Sequence, residues 1–160
     1  MPGTNEAALR AAVAAFNDPG RRERYLDLYT PDVVLHGYPG NAQGREGVRS
    51  FCSQLWAAFP DIRLSIDELI ASEDRLASRY TLTGTQAADF YGAPVGGGQT
   101  EVDGVGWFHF RDGVVVEAWQ VSAALETLMR FSARAAKATP RTSASAAAAA
   151  LRWEEKHPDA

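Results

Sequence analysis

His36, Tyr38, Arg79 and Gln120 are the residues of this chain best placed to do chemistry, because each stands in a strand-like run of small or apolar neighbours. An imidazole with an unperturbed pKa of about 6.5 suits proton transfer near neutrality, so His36 is the candidate base; its rival role is that of a hydrogen-bonded structural histidine. Alternation over Asp32 to Tyr38 predicts one face carrying Val34, His36 and Tyr38, with Val33 and Leu35 on the other. Arg79 would either bind an oxyanion or carboxylate or pair with Glu117. The Gln120 amide cannot act as a base, but its two donors and its acceptor can orient a carbonyl or a water. His109 beside Glu117 reads as a surface or interface pair. The single cysteine, Cys52, excludes an internal disulfide and a cysteine metal cluster, and its helical position marks it as a buried thiol. No metal-ligand spacing occurs, and no cofactor is expected.

These residues need elements to hold them. The run Val102 to Val121, with Asp112-Gly113 near its middle, predicts a β-hairpin. A three-residue turn with Gly113 at positive φ would set Phe110 opposite Val114. One face then carries Gly104, Gly106, Phe108, Phe110, Val114, Val116, Ala118 and Gln120, and the small residues beside Gln120 suggest open volume above the sheet. Trp107, His109, Glu117 and Trp119 share the opposite face. Exposed tryptophans there imply a homodimer through that face.

Upstream, helical spacing is expected from Asn5 to Phe16 and, more briefly, from Arg22 to Tyr29. The strongest amphipathic helix spans Arg45 to Phe59, with Val48, Phe51, Cys52, Leu55 and Phe59 as its buried stripe and Trp56 flanking it. Strands follow from Ile62 and from Leu76 to Thr85. Gln86 to Thr100 is a loop, and its three glycines are no phosphate cradle because no helix follows them. The helical pattern resumes from Ala123 to Ala138. Residues 1–138 are thus read as one domain and residues 139–160 as an Ala/Ser-rich tail able to continue as a helix. The order of elements makes the chain α+β, with a mainly antiparallel sheet closed into a cone by helices on one face.

A formal charge of -4 from interspersed acids and bases leaves no basic stripe for nucleic acid. No run approaches the roughly 20 apolar residues that span a bilayer, so a cytoplasmic protein with no membrane partner is expected. The aromatic surface of Trp56, Tyr91 and Phe108, with Tyr38, Gly106 and Ala118, is expected to receive a hydrophobic or planar small molecule.

Several short motifs, in order, carry a resemblance: Asp32-Val33-Val34-Leu35-His36-Gly37, Gly44-Arg45-Glu46-Gly47-Val48, Ala58-Phe59-Pro60-Asp61, Thr81-Leu82-Thr83-Gly84-Thr85, and Phe108-His109-Phe110-Arg111-Asp112-Gly113 with Glu117-Ala118-Trp119. Roughly from Ala7 to Leu128 the chain resembles the SnoaL-like polyketide cyclase family of the nuclear transport factor 2-like superfamily. The resemblance implies a curved α+β cone and an intramolecular aldol cyclisation without metal or cofactor. Its base would be an aspartate following the last-strand tryptophan, often with a histidine before that tryptophan; here these positions hold Gln120 and Ala118. The expectation is therefore a cofactor-independent enzyme acting on a hydrophobic carbonyl compound, with His36 as base and Gln120, Tyr38 or Arg79 orienting the substrate. The alternatives are a noncatalytic binding or dimerisation domain and a hydratase or dehydratase in the same pocket.

Overall fold

The computed structural model describes residues 2–92, 95–96 and 98–122. The expected helix over 123–138 and the tail over 139–160 lie outside the described residues. Helix α1 (Pro2–Phe16) leads into a 3₁₀ turn (Arg22–Leu28), strand β1 (Tyr29–His36) and helix α2 (Gly44–Ala58). Strands β2 (Arg63–Ser72), β3 (Arg75–Thr85), β4 (Gln99–Arg111) and β5 (Val114–Val121) complete the described chain. They form one open sheet in the order β1-β5-β4-β3-β2. Every pairing is antiparallel except β1 with β5, which run parallel.

Period-two alternation makes one face of the sheet apolar. Leu76, Tyr80, Phe108, Phe110, Val115 and Ala118 are buried against the helices. Helix α2 contributes Val48, Cys52 and Leu55 to that core, and α1 contributes Leu9, Val13 and Phe16. Burying each such side chain stabilises the fold by about 1.5–3 kcal/mol before conformational entropy is charged against it.

An open sheet has two edge strands with unpaired backbone groups, and a side-chain amide covers part of each. On β1 the Gln43 amide accepts from the Leu35 N–H at 3.0 Å and donates to the Leu35 carbonyl at 2.9 Å. On β2 Asn17 does the same for Leu64, at 2.7 and 2.9 Å. Gln43 stands immediately before α2 and Asn17 immediately after α1, so the two clamps also fix where the helices cross the sheet.

Three sequence expectations are corrected. The hairpin turn is the two-residue form: Asp112 (φ 53°) and Gly113 (φ 80°) both adopt positive φ, and Arg111 pairs with Val114. A bulge at Val116 then returns Ala118 and Gln120 to the inner face, because His109 faces Glu117 while Phe110 faces Val115. Val115 is thus the core residue in place of Val114 and Val116, and Gly106 pairs with Gln120 and Phe108 with Ala118 where the three-residue turn would have set them opposite Ala118 and Val116; their common face stands as expected. Second, no open volume lies directly above the glycines. A Cβ on Gly104 would strike the Tyr80 ring, and one on Gly106 the Phe108 ring, so these glycines admit protein aromatics. Third, His36 and Tyr38 do not share a face. Gly37 between them has φ 77°, and a Cβ there would fall inside the Gln120 carbonyl oxygen. The strand alternation ends at His36.

Candidate functional site

The inner face of the sheet and the α2 stripe do not close completely on each other. Between them lies a cavity with about 660 Å³ of atom-free space, its open mouth included. Its apolar walls come from α2 (Val48, Phe51, Leu55), α1 (Phe16) and the sheet (Leu64, Leu82). Its polar groups come from Tyr25, Tyr38, Cys52, Tyr80, Gln120 and Ser122.

Each polar group reaches the cavity for a local reason. Tyr80 and Leu82 lie on the buried face of β3, and the missing side chain of Gly104 on the neighbouring strand leaves room for the Tyr80 ring. The Tyr80 hydroxyl donates to Gln120 Oε1 at 2.9 Å. With its oxygen so engaged, the Gln120 amide presents its nitrogen over Gly106. The left-handed turn at Gly37 brings Tyr38 inward, into the same lining as Gln120. Tyr25 and Tyr29 bond each other through their hydroxyls at 2.9 Å, and Ser122 donates to the Asp103 carbonyl at 2.8 Å.

Burial governs the ionisation of this set. It holds the Tyr25, Tyr29 and Tyr38 hydroxyls well above the ordinary phenol range, and it pushes Tyr80 up to about 12, with the Asp103 charge adding to the rise. Burial likewise raises the Cys52 thiol far beyond the range in which it would be a nucleophile, with Glu23 adding a smaller push. The cavity's phenols are therefore neutral donors at physiological pH. Neutral O–H and N–H groups in a low-dielectric pocket can hold a carbonyl oxygen and stabilise charge developing on it. Among the described lining residues none carries a carboxylate, imidazole, ammonium or guanidinium, so the lining offers no ordinary general base.

Of the sequence-predicted site residues, the fold brings Tyr38 and Gln120 together in the cavity and leaves the others outside its lining. His36 is on the opposite face of the sheet. Its ring stacks on Trp119 at 4.6 Å with an interplanar angle of 10°, and Nε2 lies 2.9 Å from Glu117 Oε1. Both side chains are partly solvent-exposed, at 42% and 32%, so the pair is worth at most about 1 kcal/mol. His109 lies on that face too, 3.2 Å from Asp74 and 3.9 Å from Glu117. Arg79 is 54% exposed and pairs with Asp67 and Glu68 at 3.4 and 3.5 Å, not with Glu117. Trp56 packs on Phe16 under the Arg22 guanidinium, and Tyr91 packs on Phe90 and accepts from Gln54. Phe108 and Ala118 are closed core.

Tyr80 is the site residue that sequence reasoning passed over as a site. Its signal was present: a tyrosine on the strand face that carries Leu76, Ser78 and Leu82 needs a buried partner for its hydroxyl. Among the described residues no group of three or more histidine, cysteine, aspartate or glutamate side chains is placed to hold a metal ion. No described helix is long and apolar enough to cross a membrane.

The model of the family described as SnoaL-like polyketide cyclase matches residues 6–130. Among solved structures, the chain is similar to AclR, a proposed hydroxylase from Streptomyces galilaeus, at 28% identity and a TM-score of 0.69, over 81% of this chain and 96% of that one. It is similar to IdmH, a proposed polyketide cyclase from Streptomyces antibioticus, at 28% identity and a TM-score of 0.65, over 79% of this chain and 97% of that one. TsrD from Streptomyces laurentii, at 24% identity and a TM-score of 0.68 over 77% of this chain and 90% of that one, shares the fold. No curated protein matches the sequence significantly.

The raised phenol pKa values have a consequence for stability. The unfolded chain ionises its tyrosines near 10.0 while the folded chain holds these protons more tightly, so the folded state is favoured in full below that pH and loses stability as pH rises through and beyond it. Alkaline titration followed by near-ultraviolet absorbance should show most tyrosinate appearing together with unfolding, as judged by circular dichroism. Smooth ionisation of all five tyrosines near pH 10.0 in a chain that stays folded would contradict the burial argument.

Proposed function

The chain belongs to the SnoaL-like polyketide cyclase family, and we propose that it is a cofactor-independent enzyme acting on a hydrophobic, oxygen-bearing small molecule held in the cavity between α2 and the sheet. The observation that carries this reading is the Tyr80–Gln120 hydrogen bond beside Tyr38, in a cavity whose remaining walls are mainly apolar. A carbonyl oxygen placed there would accept from Tyr38 or from the Gln120 amide. The same donors would lower the cost of enolate or alkoxide character on that oxygen, which is the shared requirement of aldol cyclisation and of isomerisation alpha to a carbonyl. Gln120 is in this reading a positioning group, and the substrate carbon loses its proton to solvent or to a group of the substrate itself. The His36 base assignment finds no support in the geometry, because the sheet stands between His36 and the cavity.

A second reading, a noncatalytic binding domain, is favoured by one observation: the described lining holds no group that is charged at neutral pH. The two readings agree on binding and differ on turnover. One probe separates them, 2-acetylnaphthalene, with 2-ethylnaphthalene as its hydrocarbon counterpart. Tyr38→Phe should weaken the ketone about ten-fold, the value of one buried hydrogen bond, and leave the hydrocarbon unchanged. His36→Ala should alter neither. Equal loss for both probes, or no loss for either, contradicts the oxygen-donor assignment. For the enzyme reading, the wild-type protein should also speed exchange of the ketone's methyl protons with D₂O, observed by NMR, and Tyr38→Phe should remove the effect. Saturable binding with no acceleration assigns the chain to the binding reading.

The outer face of the sheet supports the homodimer reading. Trp107, Val34, Val105 and Val121 are 43–61% exposed there, around Trp119 and the His36–Glu117 pair. Sedimentation at micromolar concentration should find a dimer that Trp107→Glu dissociates; a monomeric wild type would remove this reading.

A further inference from the structure

A second cavity lies beside the first, with about 340 Å³ of atom-free space, open mouth included. Leu55 of α2 and Leu82 of β3 line both cavities, so two aliphatic side chains are all that the two spaces share as a wall. The second space is bounded by Phe59 and Ile62 after α2, by Val102 on β4 and by Phe90. Its polar atoms are few: the hydroxyls of Thr83 and Thr100 are the only side-chain polar groups among its lining residues.

The far wall is held firmly in place. Phe90 is 1% exposed and meets Phe59 edge-on at 5.6 Å. The chain leading to it is tied to the end of α2 by the Ala87 N–H donating to the Ala58 carbonyl at 2.7 Å, and by the Thr85 N–H donating to Asp61 at 2.8 Å. The hydrogen bonds from Thr85 lower the Asp61 carboxyl from its ordinary value, so the Thr85–Asp61 tie persists in mild acid. Close-packed interiors leave few spaces larger than a water molecule, and apolar ones stay dry. Two adjoining, mainly apolar spaces, the first with the Tyr80–Gln120 pair and Tyr38 and the second with two threonine hydroxyls as its only side-chain polar groups, have the shape of a site for an elongated ligand.

We infer that the ligand site is two-lobed: the oxygenated head lies against Tyr38, Tyr80 and Gln120, and an apolar extension passes Leu55 and Leu82 into the lobe closed by Phe90. The inference rests on the ligand reading above and adds to it a substrate class, a carbonyl compound with an alkyl or aryl arm free of polar atoms on the far side. Leu55 and Leu82 are then the residues that set how wide the arm can be at its waist.

Isothermal titration of the full chain with alkyl phenyl ketones, from acetophenone to octanophenone, tests it. Affinity should rise by about three- to four-fold per added methylene over the first several and then level off. Val102→Phe, which fills the second lobe, should keep acetophenone within about two-fold of wild type and abolish the rise, while Val105→Phe on the outer face should keep it. Thr100→Phe should act like Val102→Phe and guards against a misfolded single variant. Acetophenone binding with no dependence on chain length, or a rise that survives both lobe-filling variants, overturns the two-lobed site alone. A rise with chain length that Tyr38→Phe leaves untouched for every ketone overturns the head assignment and leaves the lobe standing. No binding by any ketone overturns both.

Discussion

The backbone reversal at Gly37 is the constraint on which the candidate site depends. Strand β1 lies alongside β5 with His36 opposite Trp119, and immediately beyond this pair the chain passes so close to the Gln120 carbonyl that no side chain fits. Only glycine tolerates both that approach and a φ of 77°. The turn sends Tyr38 to the helix side of the sheet, where it lines the cavity with Gln120 and packs on Phe51, and leaves His36 on the other side against Trp119 and Glu117. One residue thus separates a neutral, buried hydrogen-bonding site from an exposed, ionisable cluster. The chemistry available on the two faces differs for that reason.

The cavity itself follows from how the helices are anchored. Gln43 and Asn17 each give both halves of a side-chain amide to an edge strand, which satisfies backbone groups that an open sheet would otherwise leave unpaired. Because one amide precedes α2 and the other follows α1, the same bonds set the position of both helices over the sheet. Arg45 strengthens the first anchor by donating to the Tyr29 carbonyl. Held at those points, α2 presents Val48, Cys52 and Leu55 to the strands, and the space left between them is lined by tyrosines whose protons burial retains. A site of this kind favours binding of neutral oxygen acceptors and supplies stabilisation to a developing oxyanion, with no ionised group of its own.

Much of the architecture was legible in the amino-acid pattern. The stripe of α2, the alternation of β3 and the common face of Gly106 and Gln120 all follow from residue periodicity, because a helix or strand with one apolar face has one way to bury it. The turn of the hairpin was not, since Asp-Gly suits both a two-residue and a three-residue loop. The bulge at Val116 compensated for that difference, and the far end of the hairpin keeps the face expected of it. The side on which His36 lies was hidden for a related reason: alternation holds only while the strand continues, and the glycine that ends it also occurs in loops and bulges. The Gln43 and Asn17 clamps left no periodic trace at all, because they depend on segments distant in sequence meeting at an edge. Tyr80 was visible as a buried tyrosine in need of a partner, and its partner was the residue already singled out at position 120.

The most direct test of the account is a crystal structure of the protein soaked with 2-acetylnaphthalene. The account predicts the ketone between α2 and the sheet, its oxygen within hydrogen-bonding distance of the Tyr38 hydroxyl or the Gln120 amide nitrogen and its rings toward Leu55 and Leu82. A ketone seated on the outer face beside His36 and Trp119, or one in the cavity with its oxygen turned away from Tyr38 and Gln120, would contradict it.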